Sequence, residues 1–197
     1  MSDGRAADAL NTYRVATIPG DGVGPEVVTA ARRVVDRAGA AFGFAVDWSE
    51  LIVGGIAIDT YGVAIRDEDL SACGEADAVL LGAVGGPKWS DPGAPVRPEQ
   101  ALFALRGSLG LYSNLRPITI QPALVASSPL RPELLTGVDM VIVRELTGGL
   151  YFGDRTEASG EPGARTAIDV LPYAEHEITR IVRLAFDLAR SRRGVLT

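Results

Sequence analysis

The stretch "IPGDGVGPEVV", residues 18–28, carries three glycines within five positions, Gly20, Gly22 and Gly24, directly after an apolar run. The dinucleotide-binding fingerprint is G-x-G-x-x-G at the turn from a strand into a helix. Here Pro25 stands where its last glycine would be, and a proline has no N–H to offer a phosphate. The spacing therefore disfavours a standard phosphate loop. It favours either a tight strand-to-helix turn that needs positive φ, or a turn that brings the backbone close to another part of a ligand.

Strands and helices alternate on either side of this turn. Residues 13–18 form an apolar run typical of a short buried strand, and Pro25 suits the first turn of a helix. The unbroken apolar run 77–85 is typical of a strand covered on both faces. This alternation predicts an α/β domain with a mainly parallel sheet. The other predictions for this region are a strand over 44–53, helices over 67–76 and about 98–109, and a buried helix face formed by Val27, Ala31, Val34 and Ala38.

The pattern of the second part of the chain predicts a second structural region, which begins near residue 110. The two predicted regions are therefore 1–110 and 111–197. The segment 150–172 is polar and contains several glycines, which indicates either a two-stranded arm or an extended loop. The other predictions here are strands over 111–120 and 139–146, a helix with the apolar stripe Ile178, Ile181, Val182, Ala185, Leu188 and Ala189, and the start of a strand at 195–197.

Composition excludes several functional classes. The chain has 197 residues and a net charge of −6, whereas a nucleic-acid binder needs a basic surface to neutralise phosphates. We find no basic, apolar start typical of a signal peptide and no apolar run long enough to cross a bilayer. Cys73 is the single cysteine, so no internal disulfide can form. These features predict a cytoplasmic protein that binds neither nucleic acid nor membrane.

Three arginines stand at positions that suit the binding of carboxylates. Arg106 lies on a predicted helix, Arg116 within a predicted strand, and Arg144 near the end of another. A guanidinium grips a carboxylate through two parallel hydrogen bonds, and ligands of open α/β sheets bind beyond the carboxyl ends of strands. The alternative for each arginine is a solvated or ion-paired surface residue.

The stretch "TGGLYFG", residues 147–153, presents Tyr151 beside two glycines. Its hydroxyl could serve as an acid, and the alternative is an aromatic residue of the core or of an interface. His176, the single histidine, is predicted to lie on the surface. With one cysteine and one histidine, the chain cannot assemble a Cys–His catalytic pair or a soft-metal cluster.

Five separate motifs resemble those of one enzyme family. The motifs are "IPGDGVGPEVV", "LLGAVGGPKW", "RPEQALFALR", "LYSNLRP" and "VRELTGGLYFG". Their order and spacing are similar to those of the metal-dependent β-decarboxylating dehydrogenases, the isocitrate/isopropylmalate dehydrogenase family, from about Tyr13 onwards. The resemblance implies an α/β fold other than the standard Rossmann domain. It assigns region 1–110 to a cofactor-binding domain and region 111–197, with an arm near 150–172, to a domain for substrate and dimerisation.

The resemblance also implies roles for individual residues. It implies oxidative decarboxylation of 3-isopropylmalate, the small-molecule substrate, with NAD as cofactor, a reaction of leucine biosynthesis. NAD is expected at Gly86, Pro87, Lys88, Trp89 and Glu99, with Glu99 near the nicotinamide ribose. The malate carboxylates are expected at Arg106, Arg116 and Arg144, and the isopropyl group at Leu102 and Phe103. Tyr151 is expected to protonate the enol left after decarboxylation.

In the family, further functional residues follow the part that matches this chain. The ligands of the divalent cation, Mg²⁺ or Mn²⁺, are expected beyond residue 197, with none within the chain. We therefore expect an incomplete two-domain fold, a fragment inactive by itself, and a homodimer for the full-length form. The alternatives are a non-catalytic truncated paralogue that acts as a binding module, or a related dehydrogenase for homoisocitrate, tartrate or isocitrate.

Overall fold

The structure, a computed structural model, describes residues 11–91 and 93–197. The first ten residues of the predicted region 1–110, and Pro92, lie outside this part. The chain divides into two compact units, Met1–Leu109 and Gly110–Thr197. The described part contains no helix with the length and apolar character that a membrane span requires.

The first unit is built on a three-stranded parallel sheet. Strand β1 lies in the middle, and both β2 and β3 pair with it in parallel, in the order β2-β1-β3. The predicted parallel sheet is thus confirmed in this unit. Its elements are β1 (Asn11–Gly20), α1 (Gly24–Phe42), β2 (Phe44–Glu50), α2 (Gly55–Tyr61), α3 (Asp67–Glu75), β3 (Ala78–Ala83), a 3₁₀ turn (Pro87–Trp89) and α4 (Glu99–Ser108).

The core of the first unit lies between the sheet and helices α3 and α4. Ala16 and Ile18, two apart on β1 and so on one face of the sheet, are almost fully buried. They pack in one cluster with Cys73 of α3 and with Ala101 and Leu105 of α4. The buried centre of the predicted first strand is therefore confirmed, and α4 is held to the sheet by one of its faces.

The buried face predicted for α1 is wrong. Val27 and Val34 are 50% and 70% exposed, whereas Gly24, Val28 and Gly39 are buried. A Cβ on Gly39 would lie 2.6 Å from the carbonyl oxygen of Phe44, and one on Gly24 would overlap the carbonyl of Pro19. The helix approaches the sheet through its glycines, which a search for recurring large apolar residues does not detect.

The expectation that the strand at 77–85 is covered on both faces is also wrong. Its middle residues form β3, which pairs only with β1 among the described strands. Leu81 is 38% exposed. An unbroken apolar run predicts full burial, but an edge strand is covered less than a central one.

The second unit contains two separate two-stranded antiparallel sheets and a C-terminal helix. Strand β4 pairs with β5, and β6 pairs with β7 within the segment predicted as either an arm or a loop. Residues 195–197 form no strand with the described residues, contrary to expectation. The elements are β4 (Ser113–Thr119), a 3₁₀ helix (Pro122–Ser127), α5 (Pro132–Leu135), β5 (Asp139–Glu145), a 3₁₀ turn (Gly149–Tyr151), β6 (Arg155–Ser159), β7 (Thr166–Asp169) and α6 (Glu175–Arg190).

Candidate active site

The glycine turn is organised around the carboxylate of Asp21. This side chain is 4% exposed and accepts three backbone hydrogen bonds. Oδ2 accepts from the N–H groups of Gly55 and Gly85, both at 2.7 Å, and Oδ1 accepts from that of Ile56 at 2.8 Å. A buried carboxylate needs such donors to offset its lost hydration. Asp21 therefore joins the end of β1 to the start of α2 and to the segment that leaves β3.

The glycines of this turn serve close packing of the backbone. Gly20 has a φ of +69°, and a Cβ there would overlap the carbonyl oxygen of Ala83. Gly24 has no positive φ, but a Cβ would overlap the carbonyl of Pro19. At Gly22, whose φ is +58°, an added Cβ would meet nothing within 4 Å. The tight-turn interpretation of the sequence holds at Gly20, where both conformation and space require glycine.

The segment Gly86–Trp89, expected to bind a cofactor, is attached to α2 by its side chains. Lys88 Nζ lies 2.5 Å from Asp59 Oδ2, and Trp89 Nε1 donates to Asp59 Oδ1 at 3.2 Å. The indole packs on Gly55, where any Cβ would overlap the ring. Lys88 lowers the pKa of Asp59 through its hydrogen bond, against a smaller opposing effect of burial. The structure thus gives Lys88 and Trp89 partners within the chain.

Glu99, at the start of α4, has an unsatisfied acceptor. Its Oε2 atom is shielded from solvent and has no hydrogen-bond partner among the described residues. The nearest cation, Arg97, lies 3.6 Å away through its Nε atom. A Cβ on Gly85 would lie 3.4 Å from Glu99 Oε1, so the carboxylate lies beside the segment that leads into Gly86. The Glu99 side chain as a whole is 46% exposed, so a ligand hydroxyl or amide can approach this shielded atom.

Helix α4 presents the other expected residues of this unit on a single stripe. Leu102 and Phe103 precede Arg106 by four and three positions, and such spacings place side chains on neighbouring parts of a helix surface. The guanidinium carbon of Arg106 lies 5.9 Å from the ring centre of Phe103. All three side chains are half-buried. An apolar pair beside a cation can hold a ligand that has both an alkyl group and a carboxylate.

Arg116 and Arg144 lie on one face of the β4–β5 sheet. Asn114 lies opposite Arg144, and Arg116 lies opposite Ile142. Residues opposite each other share a face, as do residues two apart on a strand, so the two arginines are diagonal neighbours. Arg116 Nε donates to Asn114 Oδ1 at 2.9 Å, which orients its guanidinium. Two like charges on one face favour the binding of an anion between them.

On the opposite face of β5, Glu145 organises the turn that follows the strand. It accepts from the backbone N–H groups of Thr147 and Gly148, both at 2.8 Å, and from the Thr147 hydroxyl at 2.6 Å. Arg180 of α6 donates to Glu145 at 3.2 Å and also to Thr147 Oγ1, and lies over the ring of Tyr112 at 4.7 Å. Burial acts to raise the pKa of Glu145, but these hydrogen bonds together lower it below its usual value. This network fixes the start of the "TGGLYFG" stretch, and our sequence analysis did not find it.

Tyr151 ends the 3₁₀ turn Gly149–Tyr151 that follows this network. Its side chain lies outside the part of the chain that the structure describes. The turn is held by Tyr173, whose ring occupies the space beside Gly148 and Gly149. The N–H of Gly149 donates to the carbonyl of Pro172 at 2.9 Å. The start of the turn is therefore held by the neighbouring segment at Pro172 and Tyr173.

The other titratable residues of the sequence analysis lie apart from these sites. His176 is exposed, as predicted. Cys73 is buried in the core, and burial raises the pKa of its thiol. Within residues 11–91 and 93–197, no three His, Cys, Asp or Glu side chains are grouped so that they could hold a metal ion.

The family model and the relatives with similar sequences indicate the same family. Residues 14–197 match the model of the isocitrate/isopropylmalate dehydrogenase family. The chain is 50% identical over 184 residues to a 3-isopropylmalate dehydrogenase of Anaeromyxobacter dehalogenans, covering 93% of this chain and 52% of that protein. It is 47% identical over 192 residues to the chloroplastic 3-isopropylmalate dehydrogenase 1 of Arabidopsis thaliana, covering 97% of this chain and 47% of that protein.

Solved structures agree with the sequence relatives. An apo β-decarboxylating dehydrogenase from Thermococcus kodakarensis superposes with a TM-score of 0.62 at 37% identity, covering 93% of this chain and 47% of that one. An isocitrate dehydrogenase from Methylococcus capsulatus gives a TM-score of 0.66 at 28% identity, covering 92% and 48%. The chain spans about half the length of the curated relatives it matches. On the family match and these identities, the chain belongs to the isocitrate/isopropylmalate dehydrogenase family.

Proposed function

We propose that the protein carrying this chain oxidises and decarboxylates 3-isopropylmalate to 2-oxoisocaproate with NAD, a reaction of leucine biosynthesis. The observation that carries the proposal is the pair Arg116 and Arg144 on one face of the β4–β5 sheet. A dicarboxylate substrate needs such fixed cations to hold its carboxylates. The identity of about 50% to relatives named 3-isopropylmalate dehydrogenase supports this substrate over other malate derivatives.

Glu99 supports NAD as the ligand of the first unit. Its shielded Oε2 atom lacks a hydrogen-bond donor, and a ribose hydroxyl would supply one. Gly86 and Pro87 would line the same site beside it. NAD, when bound, supplies the acceptor for the hydride that leaves the substrate's hydroxyl-bearing carbon.

The chain's own residues orient the substrate and provide a proton. Arg106, Arg116 and Arg144 bind carboxylates, and holding them fixed aligns the reacting carbon for hydride transfer. Leu102 and Phe103 contact the isopropyl group and offer no partner for a third carboxylate. Tyr151, as a positioned acid, protonates the enol that remains when carbon dioxide has left.

Mg²⁺ or Mn²⁺ completes the cofactor proposal, since a divalent cation stabilises charge on the substrate oxygen in such reactions. The described residues offer no set of ligands for it. We also propose a homodimer in the cytoplasm as the working form of the complete enzyme.

Steady-state assays of the protein expressed from its gene test this function. We expect NADH formation from 3-isopropylmalate with Mg²⁺ or Mn²⁺, and a fall of about a hundredfold in kcat/KM for Arg144→Ala. Arg131→Ala, which removes a largely exposed arginine outside the arm of the second unit, is the matched control and should leave kcat/KM unchanged. Equal activity of Arg144→Ala and wild type would overturn the proposal.

A further inference from the structure

We propose that Asp59 of α2 is a positioning residue for the cofactor segment, which holds Lys88 and Trp89 so that they set the position of Gly86 and Pro87 instead of contacting the cofactor. The inference rests on the proposed function in naming NAD as the ligand. It goes beyond the family resemblance, which assigns Lys88 and Trp89 to cofactor binding and assigns nothing to Asp59.

Both carboxylate oxygens of Asp59 contact consecutive residues of one segment. Oδ2 pairs with Lys88 Nζ at 2.5 Å, and Oδ1 accepts from Trp89 Nε1 at 3.2 Å. The lysine side chain is 65% exposed, and an exposed ion pair alone fixes little. The indole N–H adds direction, because a ring donor has only one geometry in which it can reach this oxygen.

The backbone of α2 leaves space for the indole of Trp89. A Cβ at Gly55 would overlap three ring atoms of Trp89, so the ring lies directly on the helix backbone. The Lys88 ammonium lies 5.3 Å from the centre of the same ring, within reach of a cation–π contact. Lys88, Trp89 and Asp59 therefore contact one another as one set, in which each of the three side chains touches the other two.

The other end of the segment is held to the same helix through Asp21. Its Oδ2 atom accepts from the N–H of Gly85, one residue before the segment, and from the N–H of Gly55, at the start of α2. Two carboxylates thus fix the two ends against α2. Between these ends lie Gly86 and Pro87, whose carbonyl oxygens accept from the N–H groups of Trp89 and Ser90 in the same turn, so fixing the two ends also fixes their backbone.

Amide hydrogen exchange and NADH binding, both on the protein expressed from its gene, test the proposal. For Asp59→Ala we expect faster exchange in residues 86–90 and NADH binding weaker by roughly fivefold, the effect of losing a partly exposed polar contact. Exchange in β1 should not change, which shows that the unit remains folded. Asp47→Ala, which removes an exposed carboxylate from β2, is the control and should change neither readout.

A double-mutant cycle separates positioning from direct contact. If Lys88 acts through Asp59, Lys88→Met weakens NADH binding no more than Asp59→Ala does, because Asp59→Ala also removes the acceptor for Trp89, and the double variant is no weaker than Asp59→Ala alone. In turnover assays, the KM for NAD should rise while kcat stays close to wild type. If Lys88 contacts NAD, Lys88→Met weakens binding further in the Asp59→Ala background, and the proposal is overturned.

The hydrogen-exchange and NADH-binding results distinguish a failure of this proposal from a failure of the proposed function. If Asp59→Ala leaves exchange in residues 86–90 at the wild-type rate, Asp59 does not position the segment, whatever the wild-type chain binds. If wild type binds no NADH while Asp59→Ala still accelerates exchange, the positioning role stands and NAD is the wrong ligand. Asp59→Asn, which keeps an acceptor for the Trp89 N–H, should give an intermediate exchange rate.

Discussion

The substitution Asp21→Asn tests whether the glycine turn is a structural junction organised by one carboxylate. An amide has one oxygen, so its best orientation keeps the bonds from Gly55 and Gly85 and turns its NH₂ towards the N–H of Ile56. One donor then loses its partner, at a cost of about 1–3 kcal/mol, and two charge-assisted bonds become neutral, at about 1 kcal/mol each. Removing a buried charge offsets part of this. We expect a net loss near 3 kcal/mol in the free energy of unfolding.

Urea and thermal unfolding of the chain measure this loss. For a chain of this length, about 3 kcal/mol corresponds to a fall in Tm of roughly 6–12 °C. The control is Asp91→Asn, because Asp91 is exposed and accepts a single backbone bond, from Gly93 at 2.9 Å. It should change the free energy of unfolding by less than about 0.5 kcal/mol. If Asp21→Asn is also within about 0.5 kcal/mol of wild type, the junction does not depend on the charged carboxylate.

Three further predictions address single positions. Gly20→Ala should destabilise the fold by at least about 2 kcal/mol more than Gly22→Ala in urea unfolding, since both have positive φ but only Gly20 lacks space for a Cβ; equal losses would contradict the close packing. The lowered pKa of Glu145 means that its ionised form stabilises the fold above the unfolded-state pKa, and that this contribution is lost as pH falls through the folded-state pKa. In Glu145→Gln, the free energy of unfolding should therefore decrease less steeply as the pH is lowered into the acid range. The same steepness as in wild type would show that Glu145 does not make this contribution. Gly55→Ala should displace the Trp89 indole and shift its fluorescence, whereas an unshifted emission spectrum would show that the ring does not pack there.

Local patterns were enough to predict the class of fold and most of its elements. The apolar run before the glycine turn gives β1, and the proline after it stands in the first turn of α1. These features act over a few residues, so a single sequence contains all the information they need. The prediction of the buried face of α1 was wrong because that face is determined by contacts with residues outside the helix. The face depends on Gly24 and Gly39, whose contribution is the space they leave for another strand.

The polar networks could not be predicted, because their partners are far apart in the chain. Asp21 accepts hydrogen bonds from residues 34, 35 and 64 positions away, and Glu145 pairs with Arg180 across 35 positions. Nothing in the spacing of a lone acidic residue indicates which backbone donors will reach it. The same limit applied to Asp59, whose partners Lys88 and Trp89 come from a different loop.

The candidate arginines were identified by residue type, and their arrangement became visible only with the strand register. The pairing of β4 with β5 puts Arg116 and Arg144 on one face, and a shift of one residue would put them on opposite faces. Arg106 lies on α4 in the first unit. The family resemblance supplied the roles of these residues.

The most direct test of the account is a comparison of kcat/KM among candidate substrates, with NAD and Mg²⁺ or Mn²⁺, for the protein expressed from its gene. We predict that 3-isopropylmalate is oxidised with a higher kcat/KM than isocitrate, homoisocitrate or tartrate. We also predict that Leu102→Ala narrows this preference by weakening contact with the isopropyl group. A higher kcat/KM for isocitrate than for 3-isopropylmalate in the wild-type protein would contradict the central claim.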